Sequence, residues 1–90
     1  MNDSNIKISA IAVEQLKRKI TIAIEEIGLQ TREIENSLIT AETEGWSDKY
    51  FHDFDSLTSD IVASLKSNQR RLEDEALPFL TKMQDLISQF

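Results

Sequence analysis

Between Val13 and Ala41 the apolar residues Val13, Leu16, Ile20, Ala23, Ile27, Ile34, Leu38 and Ala41 recur at spacings of three, four or seven. At about 100° per residue they fall on one arc, which Ile24 joins. Strand alternation does not fit the segment. A stripe this long commits the chain to an amphipathic helix, and such a helix must lay its apolar side against a neighbour. Ile11, Ile22 and Leu29 form a smaller set on nearly the opposite side, a second apolar face.

A second stripe follows. Phe54, Leu57, Ile61, Leu65, Leu72, Ala76, Phe79, Met83, Leu86 and Phe90 share one side, with Tyr50 in phase. Phe51, Val62, Leu80 and Ile87 widen it along one edge, to an arc on the order of 140°. A helix this apolar packs against more than one other helix. Asn68 lies within the stripe; it reads either as a polar residue that fixes helix register or as a solvated defect in the seam.

Punctuation is sparse, with two glycines and one proline in 90 residues. Residues 1–8 read as a lead-in. Ser9 is a good N-cap, with Ile8 and Val13 placed for a hydrophobic staple. Gly28 reads as a tolerated glycine costing about 1 kcal/mol, in preference to a point of close helix approach. Gly45 suits the left-handed position just past a helix end. Ser47 reads as the next N-cap, with Asp48 at the positive helix end and Trp46 stapled to Phe51. The expected architecture is all-α: helix 9–44, turn 45–47 and helix 48–90. The short connection makes them an antiparallel two-helix hairpin, one domain over 1–90. Pro78 predicts a kink or a closely aligned terminal segment, because it removes a donor and crowds the carbonyl four residues back.

The charge balance narrows function. Ten basic and 16 acidic side chains give a net charge of −6. That surface repels phosphates, so nucleic acid is not an expected partner. Lys17-Arg18-Lys19 reads as a solvated helical turn. No apolar run approaches the roughly 20 residues of a membrane span, and no secretory leader precedes the first helix. Membrane insertion is therefore not expected. With no cysteine there is neither a disulfide framework nor a thiolate metal site.

Catalytic chemistry finds no constellation. His52 is the single histidine, with Asp48, Asp53 and Asp55 near it in sequence. Asp48 and His52 share a helix face, but Asp53 and Asp55 point elsewhere, short of the three or four converging ligands a metal needs. There is no phosphate-cradling glycine loop, and two helices alone make no concave pocket. The chain reads as a binding protein without cofactor or metal, not as an enzyme. Trp46, Tyr50, Phe51 and Phe54 gather four of six aromatics near the turn, as a capped hairpin end, a recognition patch, or both.

Two long helices joined at Gly45-Trp46-Ser47-Asp48, followed by Tyr50-Phe51-His52-Asp53-Phe54, resemble the WXG family of ESAT-like helical-hairpin proteins handled by bacterial type VII secretion. Trp46 matches the tryptophan of the family's Trp-x-Gly motif and Ser47 its variable position. Asp48 stands where the glycine would be, so the chain is similar to a divergent member. The resemblance implies a four-helix bundle made from two hairpins, as homodimer or heterodimer. It implies a secreted substrate, or a partner that delivers a larger LXG-type toxin to the secretion ATPase. It places the chain in the bacterial cytoplasm, outside the cell without a cleaved leader, or both. The family's export signal adds a Tyr-x-x-x-Asp/Glu motif beyond the second helix. Here the nearest match in spacing, Phe51-x-x-x-Asp55, lies at the start of that helix, which favours a heteromeric partner. Partner or export recognition is accordingly expected at Trp46, Ser47, Asp48, Phe51 and Asp55. Helix packing is expected along Leu16, Ile20, Ile27, Ile34, Leu38, Phe54, Leu57, Ile61, Leu65, Leu72, Phe79 and Met83. The alternative is a generic helical-bundle adaptor or regulatory subunit, in which Trp46 only caps the hairpin.

Overall fold

Ser9 starts the first helix as its sequence suggests: its hydroxyl accepts the Ala12 amide at 3.2 Å. Helix α1 runs Ala10–Thr43, α2 Lys49–Arg71 and α3 Leu77–Ser88, with a π-helical turn, Leu72–Ala76, joining the last two. The computed structural model describes residues 9–89, so the Ile8 staple and Phe90 lie outside the described residues. The fold is an extended antiparallel hairpin, all-α, 67 × 17 × 15 Å across its Cα atoms.

The turn is built from two interlocked caps. Gly45 takes φ +110°, which only glycine adopts without strain. Its amide donates to the Glu42 carbonyl, and the Trp46 amide donates to Ala41, each at 3.0 Å. This is the Schellman closure expected of a helix ending in glycine. The second cap is Asp48, not Ser47: its carboxylate accepts the Phe51 amide at 2.9 Å. The closure at the end of α1 extends through Trp46, so Ser47 only bridges the caps. The anionic side chain takes the site where the helix dipole favours negative charge. Trp46 still packs edge-on against Phe51, with ring centroids 5.2 Å apart. The aromatic contact expected of a staple is therefore present, one position out of register.

Inside the hairpin, buried and half-buried positions alternate by four and three. On α1 the alternating set is Val13, Lys17, Ile20, Ile24, Ile27, Thr31, Ile34, Leu38 and Ala41, with Ala23, Gly28 and Glu35 half-buried at its flanks. On α2 and the π-turn they are Phe51, Asp55, Thr58, Val62, Leu65, Gln69, Leu72 and Ala76. This is the coiled-coil period, in which a seam keeps facing its partner as the helices wind. Two polar members of the seam, Thr31 and Gln69, are held by hydrogen bonds to backbone carbonyls of α1. The Thr31 hydroxyl donates to the Gly28 carbonyl at 3.1 Å, and Gln69 Nε2 donates to the Ile24 carbonyl at 3.0 Å. Gly28 makes the second bond accessible, since a Cβ there would lie 2.9 Å from Gln69 Nε2. The glycine marks a close approach after all, by a side chain from the facing arm.

Pro78 breaks nothing. The turn before it widens, so that the Leu77 amide donates five residues back to the Leu72 carbonyl. The wider turn accommodates a residue that has no donor and would crowd the carbonyl of Asp74. Helix α3 continues with Pro78 in its first turn. The widening absorbs one residue, so the seam resumes at Leu80, Gln84 and Ile87, all half-buried. Phe79, which a continuous α-helix would bring inward, is 61% exposed.

Candidate partner-binding face

A two-helix hairpin has two long grooves, and here they differ in chemistry. Every side-chain link between the arms among the described residues is in the seam or along one groove. Lys17 Nζ donates to Gln84 Oε1, and Gln84 Nε2 donates to Glu14 Oε1, both at 2.8 Å. Lys66 pairs with Glu35 at 2.9 Å. Arg32, Arg70, Glu73 and Asp74 line the same side with Gly28 and Gln69. This groove is a solvated polar surface. On α2, Arg71 pairs with Glu75 along the helix, and that hydrogen bond and charge push the guanidinium pKa up.

The other groove is apolar. At the turn end, Ile34, Leu38 and Ala41 face Trp46 and Phe54 across a cleft. Further along, on the second arm alone, Leu72, Ala76 and Phe79 border a second cleft with Asn68 and the paired Arg71 and Glu75. Between the clefts stand Leu57 and Ile61. Exposure here is high for apolar side chains: Phe54 48%, Leu57 59%, Ile61 51% and Leu16 52%. Only Val13, Thr31, Phe51 and Val62 are buried among the described residues. Phe54, Leu57, Ile61 and Phe79 thus form an exposed apolar strip along the second arm.

The stripe legible in the sequence and the seam inside the hairpin are thus neighbours, not one line. Leu65 and Leu72 serve both. Ile20, Ile27, Ile34, Leu38 and Met83 are half-buried beside the seam or in it. Leu16, Phe54, Leu57, Ile61 and Phe79 instead face outward. The seam uses the line that the sequence shows only as an edge: Phe51, Val62, Leu80 and Ile87. On a wheel the two lines on α2 stand roughly a right angle apart. Sequence reasoning missed Thr31, Gln69 and Gln84 as seam members. The strict four–three alternation from Phe51 onward is the signal that finds them.

The recognition residues expected at the turn separate into two kinds. Trp46 is 44% exposed and leans on Phe54, with ring centroids 6.0 Å apart. Ser47 and Asp48 are exposed. Phe51, by contrast, is 3% exposed, so its ring serves the hairpin core and is closed to a partner. Asp55 is half-buried in the seam one turn on. Ile11, Ile22 and Leu29 are 72%, 45% and 52% exposed, well away from the seam.

Among the described residues no three His, Cys, Asp or Glu side chains converge on a metal position, and no helix is long and apolar enough to cross a membrane. No protein-family model matches the sequence, and comparison with curated proteins and with solved structures finds no match.

Proposed function

We propose that this protein is a non-enzymatic helical hairpin that works by docking its apolar groove on a second helical protein, completing a four-helix bundle. The observation that carries this reading is the outward line Phe54, Leu57, Ile61 and Phe79, 48–61% exposed beside a seam that buries few residues. Water contact along that line is unfavourable by about 25 cal/mol per Å² of apolar surface, and a facing helix pair relieves it. The setting we propose is bacterial type VII secretion, in the cytoplasm or outside the cell. There the chain is a secreted substrate, or a partner that targets a larger LXG-type effector to the secretion ATPase. Support for the setting is the hairpin architecture together with an accessible Trp46 at its turn.

Recovery of bound proteins from the native host tests this directly. Co-purification of a helical effector or of secretion components is the expected result. Recovery of neither contradicts the secretion setting.

One observation favours a second reading, that of a general helical-bundle adaptor. Asp48 caps α2, and Trp46 packs on Phe51 and Phe54, so the turn has a complete structural explanation without an export role. Trp46→Ala separates the two. Lost export or handover with the fold intact supports secretion, whereas a loss of stability alone supports the adaptor.

A further inference from the structure

Counted along the sequence, charge is even: the segments on either side of Gly45 each carry 5 basic and 8 acidic side chains. The hairpin undoes that evenness. Folding at Gly45 lays the end of α1 beside the start of α2, and residues 33–60 hold eight acidic side chains against one basic, Lys49. The other 62 residues carry eight acidic and nine basic side chains. The excess of negative charge therefore sits in about the last 20 Å of a rod 67 Å long. Screening at physiological salt acts over roughly 8 Å, so that end meets a partner on its own terms.

The fold does not account for these charges. Asp48 caps α2, and Glu35 pairs with Lys66. The other six form no ion pair among the described residues. Glu42 and Glu44 stand at the carbonyl end of α1, where the helix dipole favours cations, and that last turn holds no basic residue. Like charges gathered this closely repel and oppose the compact state. Such conflicts with local stability are expected where a surface serves function.

The apolar cleft opens at the same end. Ile34, Leu38, Ala41, Trp46 and Phe54 line about 600 Å³, within the roughly 300–1,000 Å³ of sites that seat an apolar group. Glu33 stands on its α1 rim. On a wheel Asp53 and Asp60 lie about 40–60° from Leu57, on its side away from the seam. The strip thus carries carboxylates along both outer edges. The exposed ring of Trp46 adds a face that attracts cations.

On the reading that this groove docks a helix, we infer that its occupant is a basic amphipathic helix. Its apolar stripe seats in the cleft between Ile34 and Phe54. Lysine or arginine along its two edges meets Glu33 on one side and Asp53 and Asp60 on the other. An acidic helix would bury the same apolar area against opposing charge. A second copy of this chain, aligned turn to turn, would set acidic end against acidic end.

Trp46 is the only tryptophan, so its emission reports the cleft without a label. Two synthetic, tryptophan-free helical peptides with the same leucine stripe serve as probes, one with lysine along both edges and one with glutamate. Titrated into the full-length chain, the lysine peptide is expected to shift Trp46 emission to shorter wavelength. It should bind at least about tenfold tighter than the glutamate peptide, by a margin that shrinks as salt rises. Combining Glu33→Gln, Asp53→Asn and Asp60→Asn, all exposed positions, is expected to weaken that binding about tenfold, roughly twofold per rim charge. Combining Glu25→Gln, Glu73→Gln and Asp85→Asn removes the same charge elsewhere and should leave it within about twofold. Equal loss from the two triple variants, or an equal shift from both peptides, overturns the basic chemistry and leaves the docking face standing. So does a shift of Trp46 emission with protein concentration alone, which marks a second copy in the cleft. No shift with either peptide overturns the inference; the docking function then stands if a helical protein is still recovered from the host, and falls if none is.

Discussion

Ile61 and Val62 are adjacent in sequence and opposite in consequence. Val62 is 4% exposed inside the hairpin seam, whereas Ile61 is 51% exposed on the proposed docking face. Burying a Val or Ile side chain fully stabilises by about 1.5–3 kcal/mol. Val62→Asp forfeits nearly all of that and leaves a carboxylate among apolar neighbours, so the hairpin itself should unravel. Ile61→Asp forfeits nothing in the single chain that water does not restore. On docking it forfeits about half of the side-chain term, near 1 kcal/mol, and adds at least about 2 kcal/mol for desolvating the new polar group. Together these weaken assembly by more than about 100-fold. The assay is circular dichroism of the chain alone, paired with sedimentation velocity in mixture with helical proteins recovered from its host. Ile61→Asp should match the helicity of the parent and fail to assemble; Val62→Asp should lose helicity at every concentration. If Ile61→Asp unfolds as Val62→Asp does, or assembles like the parent, the separation of seam from docking face is wrong.

Gly28→Ala should change stability little, because about 1 kcal/mol of helix propensity is offset by displacement of Gln69; in a Gln69→Ala background the same change should stabilise by about 1 kcal/mol, as a thermal-melt double-mutant cycle will show. Asp48→Ala should destabilise by about 0.5–2 kcal/mol and Ser47→Ala by much less, a difference readable in denaturant midpoints and reversed if Ser47 were the cap. Gly45→Ala should cost about 1 kcal/mol or more, since no L side chain is at ease at φ +110°; an unchanged melting temperature would contradict the turn geometry. Pro78→Ala should let the widened turn relax toward α-helix, raising helicity while weakening assembly as Phe79 rotates inward; undiminished assembly would show that the π-turn does not set the docking face.

The order of residues alone discloses much of this hairpin. The spacing of Val13, Leu16, Ile20 and Ile27 gives α1, and Ser9 and Gly45 mark its ends, because caps are local chemistry that a single sequence displays. The excess apolar arc on the second arm is equally plain. Its division is not. Phe54, Leu57 and Ile61 are larger and more numerous than Phe51 and Val62, so ranking by hydrophobicity favours the outward line. The inward line is set by pairing geometry, including Gln69 against the gap at Gly28, and pairing is a property of two segments that neither displays alone. The shift after Leu72 is hidden for a related reason. Pro78 announces a disturbance, but whether the helix bends, breaks or widens depends on which residues then reach the seam. Leu80 and Ile87 fill it as well as Phe79 and Met83 would.

Sedimentation equilibrium of the purified full-length chain, alone and mixed with helical proteins recovered from its host, tests whether the apolar groove docks. Particles heavier than one chain, falling to single-chain mass with Ile61→Asp, are the outcome expected of a docking face. A single-chain mass in every mixture and at every concentration would mean that Leu57, Ile61 and Phe79 tolerate water, and the docking function would have to be abandoned.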